Sequence, residues 1–166
     1  MNDSILAKET NLLYYKRYKN KATATDYLKW ANSLAEADVD SITLYKILSM
    51  NCNESLFSFE EYFNKFVLEI EMSIPIYEEC ARKYLYYLCL EILSDSRNAY
   101  DIVMDIFNLV SELDYPDDLI TWVNISEDID RIIYDDSYHK PNELVVRQQI
   151  ILEANKYIAR VDAIVG

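Results

Sequence analysis

Apolar residues along this chain recur at helical spacing rather than in strict alternation. Tyr27, Trp30, Ala31 and Leu34 stand at i, i+3, i+4 and i+7 behind Thr25, which is the predicted helix cap. No alternation of apolar and polar residues persists long enough to build a sheet. The pattern therefore predicts helices from one end of the chain to the other.

Capping residues place the next two helices. Asp40 or Ser41 is predicted to cap a short helix that runs through residues 44–48. Further on, Ser58-Phe-Glu-Glu61 has the form of a capping box and predicts the start of a longer helix. The apolar residues that this helix would turn inward are Tyr62, Phe63, Phe66, Val67 and Ile70.

Prolines mark the boundaries in the second half of the chain. Pro75 is predicted to open a helix that reaches about Leu93 and is apolar on several faces, which is typical of a central helix. Pro116 and Pro141 mark later boundaries, and Ser126 is predicted to cap a segment of its own. The remaining helices are predicted at residues 98–113, 119–123, 126–134 and 142–164.

Short connectors between these helices favour antiparallel neighbours. We predict an all-α fold, a single-domain antiparallel bundle of about seven or eight helices, with one domain over residues 1–166. Stacked helical hairpins are the alternative, although no clean repeat of 33–45 residues is visible. Because Gly166 is the only glycine, left-handed turns would have to use Asn or Asp.

Negative charge is concentrated in one block of the C-terminal third. Residues 112–136 hold nine carboxylates and a single base, Arg131, in a chain of net charge −13. The nine are Glu112, Asp114, Asp117, Asp118, Glu127, Asp128, Asp130, Asp135 and Asp136. Residues 1–30, by contrast, carry six bases and three acids.

The acidic block has two interpretations. Acid-rich faces often serve only to keep a protein solvated. Dense like charge costs stability, however, and the interleaved aromatic residues are typical of interface centres, so we predict a docking surface for a basic protein. The predicted partner-binding residues are Asp114, Tyr115, Asp117, Asp118, Trp122, Glu127, Asp128, Asp130, Tyr134, Asp135 and Asp136. Trp122 has a second interpretation as a core residue, because Leu119, Ile120 and Val123 are its neighbours.

Motifs for catalysis or cofactor binding are absent from the sequence. Without glycine before position 166, neither a P-loop nor a dinucleotide-binding turn can be written. The one histidine, His139, excludes HExxH and lies in a polar connector, where a solvated side chain is expected. Cys52, Cys80 and Cys89 lack CxxC spacing and are predicted to be structural thiols. We predict no enzyme activity, no catalytic residue, no metal and no cofactor, with a carboxylate-dependent hydrolase as a third class of function.

Charge and hydropathy also predict the kind of partner. A net charge of −13 repels nucleic acid and anionic membranes and attracts basic proteins. No apolar run approaches the ~20 residues that cross a bilayer, and the first four residues lack the pattern of a secretory signal. We expect a cytoplasmic protein that binds no nucleic acid, no membrane and no small-molecule substrate.

Several segments resemble a group of bacterial inhibitors. They are residues 27–34 (YLKWANSL), Asp40-Ser41 with Leu44 and Leu48, Glu61 with Phe63, and Pro75. Over roughly residues 25–135 the chain is similar to immunity proteins of contact-dependent growth inhibition and related polymorphic toxin systems, although residues 37–39 (ADV) stand where a glycine is usual. The resemblance implies a protein that neutralises a cognate basic toxin domain, a nuclease, by covering its active site. A helical adaptor or regulatory protein-binding module is the alternative.

Overall fold

The computed structural model describes residues 2–165, with side chains for residues 6–164. Within this range it contains eight α-helices and one 3₁₀ turn, and no strand. The predicted all-α class and the predicted number of helices are therefore confirmed. Met1, which begins the segment without a secretory pattern, and Gly166 lie outside the described residues.

The chain divides into two compact units, Met1–Tyr84 and Leu85–Gly166. The helices are α1 Asn2–Tyr18, α2 Ala24–Glu36, α3 Ile42–Leu48, α4 Leu56–Glu69, α5 Tyr77–Ser94, α6 Ala99–Glu112, α7 Ile120–Tyr134 and α8 Glu143–Val165. The 3₁₀ turn, Asp117–Leu119, leads directly into α7. The division falls within α5, so this helix contributes residues to both units. That residues 1–166 form a single domain stays a prediction.

The first unit has an aromatic core. Helix α2 packs on α1, α3 and α4, and α3 packs on α4. The Phe63 ring makes edge-to-face contacts with Tyr14, Tyr27 and Trp30, at centroid distances of 5.2, 5.6 and 5.0 Å. Such contacts align the positive edge of one ring with the negative face of another and add to the gain from burial. The predicted inward residues of α2 are confirmed as buried: Tyr27, Trp30, Ala31 and Leu34.

The second unit has a core that is mainly aliphatic. Helix α6 packs on α7 and α8, and α7 packs on α8. The Tyr86 hydroxyl donates to the Asp162 carboxylate at 3.0 Å, which joins the second half of α5 to α8. The buried aliphatic side chains of this unit include Leu85, Leu88, Ile102, Val103, Ile106, Leu109, Val110, Leu119, Ile125, Ile129, Val146 and Ile150. Their removal from water is the main stabilising contribution to this unit.

Several predicted helix boundaries are confirmed by their caps. The Ser41 hydroxyl accepts from the Leu44 N–H at 3.2 Å and caps α3, while Asn142 accepts from the Leu144 N–H at 2.9 Å and begins α8. Helix α5 begins at Tyr77, so Pro75 precedes the helix and does not lie in its first turn as predicted; the Glu79 carboxylate accepts from the N–H of Ile76 at 3.0 Å. Each of these side chains satisfies a backbone donor that the helix itself cannot satisfy.

The predicted cap of α2 is wrong. Thr23 caps this helix rather than Thr25. The Thr23 hydroxyl accepts from the Asp26 N–H at 3.3 Å, and the Asp26 carboxylate accepts from the Thr23 N–H at 2.9 Å. This reciprocal capping box satisfies two backbone donors, which a cap at Thr25 would not do without an acid three residues later.

Two other predicted starts lie inside longer helices. Helix α4 begins at Leu56, so Ser58 is not a cap, and the earlier start adds Phe59 to the buried stripe of the helix. Helix α7 runs through Ser126, whose hydroxyl donates to the Val123 carbonyl at 2.7 Å. The two separate segments predicted at 119–123 and 126–134 therefore belong to one helix, because its buried face is continuous.

Left-handed residues take the place of glycine in the connections. Six of the residues that the structure describes have positive φ: Asn20, Asp38, Glu71, Asp95, Asp114 and Tyr115. Four of them are Asn or Asp, as predicted, because their short side chains tolerate this conformation. Glu71 and Tyr115 were not expected there.

The cysteines have the environments that the sequence predicts. Cys80 and Cys89 are buried free thiols, and Cys52 is an exposed one. Burial raises the pKa of Cys80 to about 11 and that of Cys89 to about 12, so both thiols are protonated and unreactive at neutral pH. Among residues 2–165, no helix has the length and apolarity that crossing a membrane requires.

Candidate protein-binding surface

Helix α7 separates its residues onto a buried face and an exposed face. The buried face carries Trp122, Ile125, Ser126 and Ile129. Glu127, Asp130 and Tyr134 follow one another at i, i+3 and i+7, so they share the opposite face, and all three are exposed. The structure thus brings together three of the predicted partner-binding residues.

Trp122 does not belong to this surface. Its side chain is 0% exposed, and it packs in the core of the second unit on the same helical face as Ile125 and Ile129. The prediction that Trp122 contacts a partner is therefore wrong, and its alternative interpretation as a core residue is confirmed. The indole N–H has no hydrogen-bond partner within the described structure.

Three of the predicted carboxylates have basic partners within the second unit. Arg131 lies 3.4 Å from Asp128 and 3.4 Å from Asp135, and Arg160 lies 3.5 Å from Asp118. All five side chains are substantially exposed, so each pair contributes no more than about 1 kcal/mol. These pairs lower the charge that a partner would meet, because each one neutralises an acid locally.

Asp136 is held by the turn that follows α7. Its Oδ1 lies 2.8 Å from His139 Nδ1 and accepts from the N–H groups of Tyr138 and His139 at 3.0 Å. These hydrogen bonds, led by the one to the imidazole, hold the pKa of Asp136 below its usual value. His139 is exposed, as the sequence predicts for this connector.

Four predicted carboxylates remain without an internal partner. They are Asp114, Asp117, Glu127 and Asp130. Each is exposed, and within residues 2–165 none of their carboxylates forms a hydrogen bond or an ion pair. Their charge is therefore available to a basic group from another molecule.

The end of α6 presents Tyr115 beside these acids in the chain. Asp114 and Tyr115 have φ of 61° and 53°, and the Tyr115 N–H donates to the Val110 carbonyl at 3.0 Å, which closes the helix. The Tyr115 hydroxyl donates to the Ser111 hydroxyl at 3.1 Å. A bulky residue in this left-handed conformation costs about 1–2 kcal/mol of stability. The Tyr115 side chain is 45% exposed.

Exposed apolar residues extend the surface beyond those singled out from the sequence. Tyr134 is 81% exposed, Tyr138 89% and Ile133 57%. Their exposure could have been predicted from their place in the chain, because they lie in or after the last turn of α7, beyond its last buried residue, Ile129. We call two groups of exposed residues together the acidic surface: Glu127, Asp130 and Tyr134 on α7, and Asp114, Tyr115 and Asp117, which precede α7 in the chain.

A cleft in the first unit was not predicted. It has a volume of about 340 Å³ and is lined by Tyr14, Arg17, Tyr18, Glu60, Asn64 and Ile74. These residues come from α1, α4 and the connector before α5. Tyr14, Arg17 and Tyr18 share a helical face, but nothing in the sequence indicates that this face meets α4.

Comparison with protein-family models, curated proteins and solved structures finds no match for the chain. Among the described residues, no three His, Cys, Asp or Glu side chains are grouped so that they could hold a metal ion.

Proposed function

We propose that this protein is a non-enzymatic binding protein that docks a basic protein domain on its acidic surface. The observation that carries the proposal is the exposed face of α7. Glu127 and Asp130 stand there without internal partners, next to the largely exposed ring of Tyr134. Charge and apolar area are combined on one helical face, as in many protein interfaces.

The two kinds of side chain support different parts of binding. Unpaired carboxylates attract a basic partner, speed its association and fix its orientation. Tyr134 offers an amphipathic ring that gains free energy when water is removed from it, and such residues dominate affinity at interface centres. Tyr115, 45% exposed, offers a second ring of the same kind.

In its more specific form, the proposal is that the partner is a toxin domain and that this protein is its cytoplasmic immunity protein. The resemblance of residues 25–135 supports this form, and so does the chemistry of nucleases. A nuclease must present a positive surface to hold phosphate groups. Carboxylates on a helix can imitate those phosphates and cover the active site.

The test starts from the neighbouring genes, where the proposal expects a toxin-like C-terminal domain, and a growth-protection assay then measures whether this protein neutralises that domain. The protein is produced with that domain as the wild type and as the triple variant Asp114→Lys, Glu127→Lys and Asp130→Lys. We expect the triple variant to lose protection and to bind the domain at least about a hundredfold more weakly, because each attraction becomes a repulsion. Unchanged affinity would contradict the assignment of the surface.

A matched variant controls for net charge. Glu36→Lys, Glu69→Lys and Glu71→Lys make the same charge change at exposed acids of the first unit. This control is expected to keep full protection. Circular dichroism of both triple variants should show unchanged helical content, so that lost binding is not mistaken for unfolding.

The helical adaptor is the second candidate, since exposed Tyr134, Tyr138 and Ile133 would also suit a partner bound through apolar contacts. A salt titration separates the two functions. Affinity for the toxin-like domain should fall steeply between 50 and 500 mM NaCl if the carboxylates attract it. Affinity that does not change with salt would favour the adaptor.

A further inference from the structure

The cleft of the first unit contains two opposite charges that do not neutralise each other. Arg17 and Glu60 both line it, yet no ion pair joins them within the described structure. The Glu60 carboxylate, half-buried, has no hydrogen bond or ion pair to any described residue. A carboxylate that has lost part of its hydration without gaining a donor is suited to bind a cation.

Arg17 is already oriented for a ligand. Its guanidinium lies over the rings of Tyr14 and Phe63, with its central carbon 5.3 and 4.8 Å from the two centroids. One N–H donates to the Asn64 carboxamide oxygen at 3.2 Å. A second side-chain hydrogen bond joins the guanidinium to Tyr14, and the N–H groups that remain can donate to a carboxylate.

A buried hydroxyl without a partner interacts electrostatically with both charges, although its residue, Tyr27, does not line the cleft. The Tyr27 side chain is 0% exposed, and its hydroxyl makes no hydrogen bond in the described structure. Burial raises the pKa of Tyr27 to about 12, and its hydroxyl interacts electrostatically with Arg17, Glu60 and Tyr14, which all line the cleft. The phenol is therefore protonated at neutral pH and lacks an acceptor, which costs stability.

The remaining wall of the cleft is apolar. Ile74 is 66% exposed and Tyr18 is 44% exposed. The Tyr18 hydroxyl donates to the Pro75 carbonyl at 2.7 Å, which fixes the position of its ring beside Ile74. An apolar group of a ligand would be removed from water between these two side chains.

We infer that this cleft binds a small zwitterion, namely an α-amino acid with an apolar side chain. The carboxylate of the amino acid accepts hydrogen bonds from Arg17, its ammonium group pairs with Glu60, and its side chain packs on Ile74 and Tyr18. A volume of about 340 Å³ is within the range of small-molecule sites. The site is independent of the acidic surface and does not depend on the proposed toxin partner.

The experiment uses the full chain, labelled with ¹⁵N, and L-leucine as the probe. Titration should shift the amide signals of residues 14–18 and 60–64 and the side-chain N–H of Arg17. Isopentylamine, which lacks the carboxylate, and 4-methylpentanoate, which lacks the ammonium group, should each bind at least about tenfold more weakly. An absence of shifts with L-leucine, L-methionine and L-phenylalanine at 10 mM would overturn the proposal, as would equal binding of either analogue.

Two variants assign the roles of the residues. Glu60→Gln and Arg17→Lys should each weaken L-leucine binding by about tenfold or more. The control Glu61→Gln changes an exposed neighbour that pairs with Lys65, and it should leave the affinity unchanged. Full affinity in Glu60→Gln or in Arg17→Lys would overturn the zwitterion site. The triple variant of the acidic surface should still bind L-leucine, so the two proposals can fail separately.

Discussion

The two units use charge and aromatic residues in opposite ways. Residues 1–84 contain ten bases and thirteen acids, a net charge of −3, whereas residues 85–166 contain six bases and sixteen acids, a net charge of −10. The first unit buries its rings against one another around Phe63. The second unit fills its core with aliphatic side chains and leaves Tyr134 81% exposed.

Residue type alone does not decide whether a side chain is buried in the core or exposed to a partner. Tyr27 and Tyr134 are both helical tyrosines, but one is 0% and the other 81% exposed. Tyr27 shares a helical face with Trp30 and Leu34, whereas Tyr134 shares one with Glu127 and Asp130. The neighbours at i±3, i±4 and i±7 therefore decide whether a ring stabilises the fold or is available to a partner.

Removing one ring from each unit should give the largest difference in the free energy of unfolding. Phe63→Ala is expected to lower the free energy of unfolding by about 3–5 kcal/mol, because a fully buried ring leaves a cavity and loses its edge contacts. Tyr134→Ala should change it by less than about 0.5 kcal/mol. Urea denaturation of both variants measures the difference. A loss below about 1 kcal/mol in Phe63→Ala would mean that the aromatic core is not a main source of stability.

A smaller effect is expected at the cap of α2, where a carboxylate stabilises the first unit. Asp26→Ala should cost about 1 kcal/mol at pH 7, because it removes the acceptor of the Thr23 N–H and the partner of Lys16. The matched control is Thr25→Ala, which changes the residue that the sequence wrongly indicates as the cap. It should cost less than about 0.5 kcal/mol.

The contribution of the Asp26 carboxylate to stability should depend on pH. Burial alone would raise the pKa of Asp26, but hydrogen bonds from Lys16 and Thr23 outweigh it and lower the pKa below its usual 3.8. The contribution of the carboxylate is therefore complete above about pH 4 to 5 and is lost as the pH falls through the lowered pKa of the folded state. The gap between wild type and Asp26→Ala should stay constant from pH 5 to 8 and narrow in acid. A gap that widened in acid would contradict this linkage.

The smallest effect on the free energy of unfolding is expected on the acidic surface, where the substitution should raise stability rather than lower it. Asp130→Lys should raise the free energy of unfolding by about 0.5 kcal/mol at low ionic strength. It replaces repulsion from Glu127 with attraction and places a cation near the C-terminal end of α7. The control Asp101→Lys, in the first turn of α6, should lower stability by a similar amount. Thermal denaturation at 10 and 500 mM NaCl would measure both, and destabilisation by Asp130→Lys would show that the acid serves the fold rather than a partner.

Periodicity along the chain predicted most of the fold. Trp30 and Leu34 could be assigned to the core because a helix has only one way to bury them together. Ser41 could be recognised as a cap because a short polar residue stood just before an apolar periodic run. Where two capping residues stood close together, as Thr23 and Thr25 do, the choice depended on the reciprocal bond of Asp26, and Thr25 was predicted wrongly.

Sequence patterns predicted less of the candidate sites. The acids of the surface were visible as a cluster, but internal pairs such as Arg160 with Asp118, 42 residues apart in the chain, depend on tertiary packing. Trp122 was misassigned because a charged neighbourhood in sequence was taken for an exposed one in space. The cleft joins Arg17 to Asn64, 47 residues away, and no local pattern encodes that meeting.

Helix α5 has a consequence for how the chain folds. Its first half gives Tyr77 and Tyr84 to the first unit, where both stack on Tyr15, and its second half gives Leu88 and buried Cys89 to the second. Ordering the first turn of a helix has a large entropy cost, which is incurred only once, and each residue added to that turn costs much less. The half of α5 that becomes ordered first therefore serves as the nucleus from which the other half can extend. A break between Tyr84 and Leu85 would leave each fragment to nucleate its own half helix.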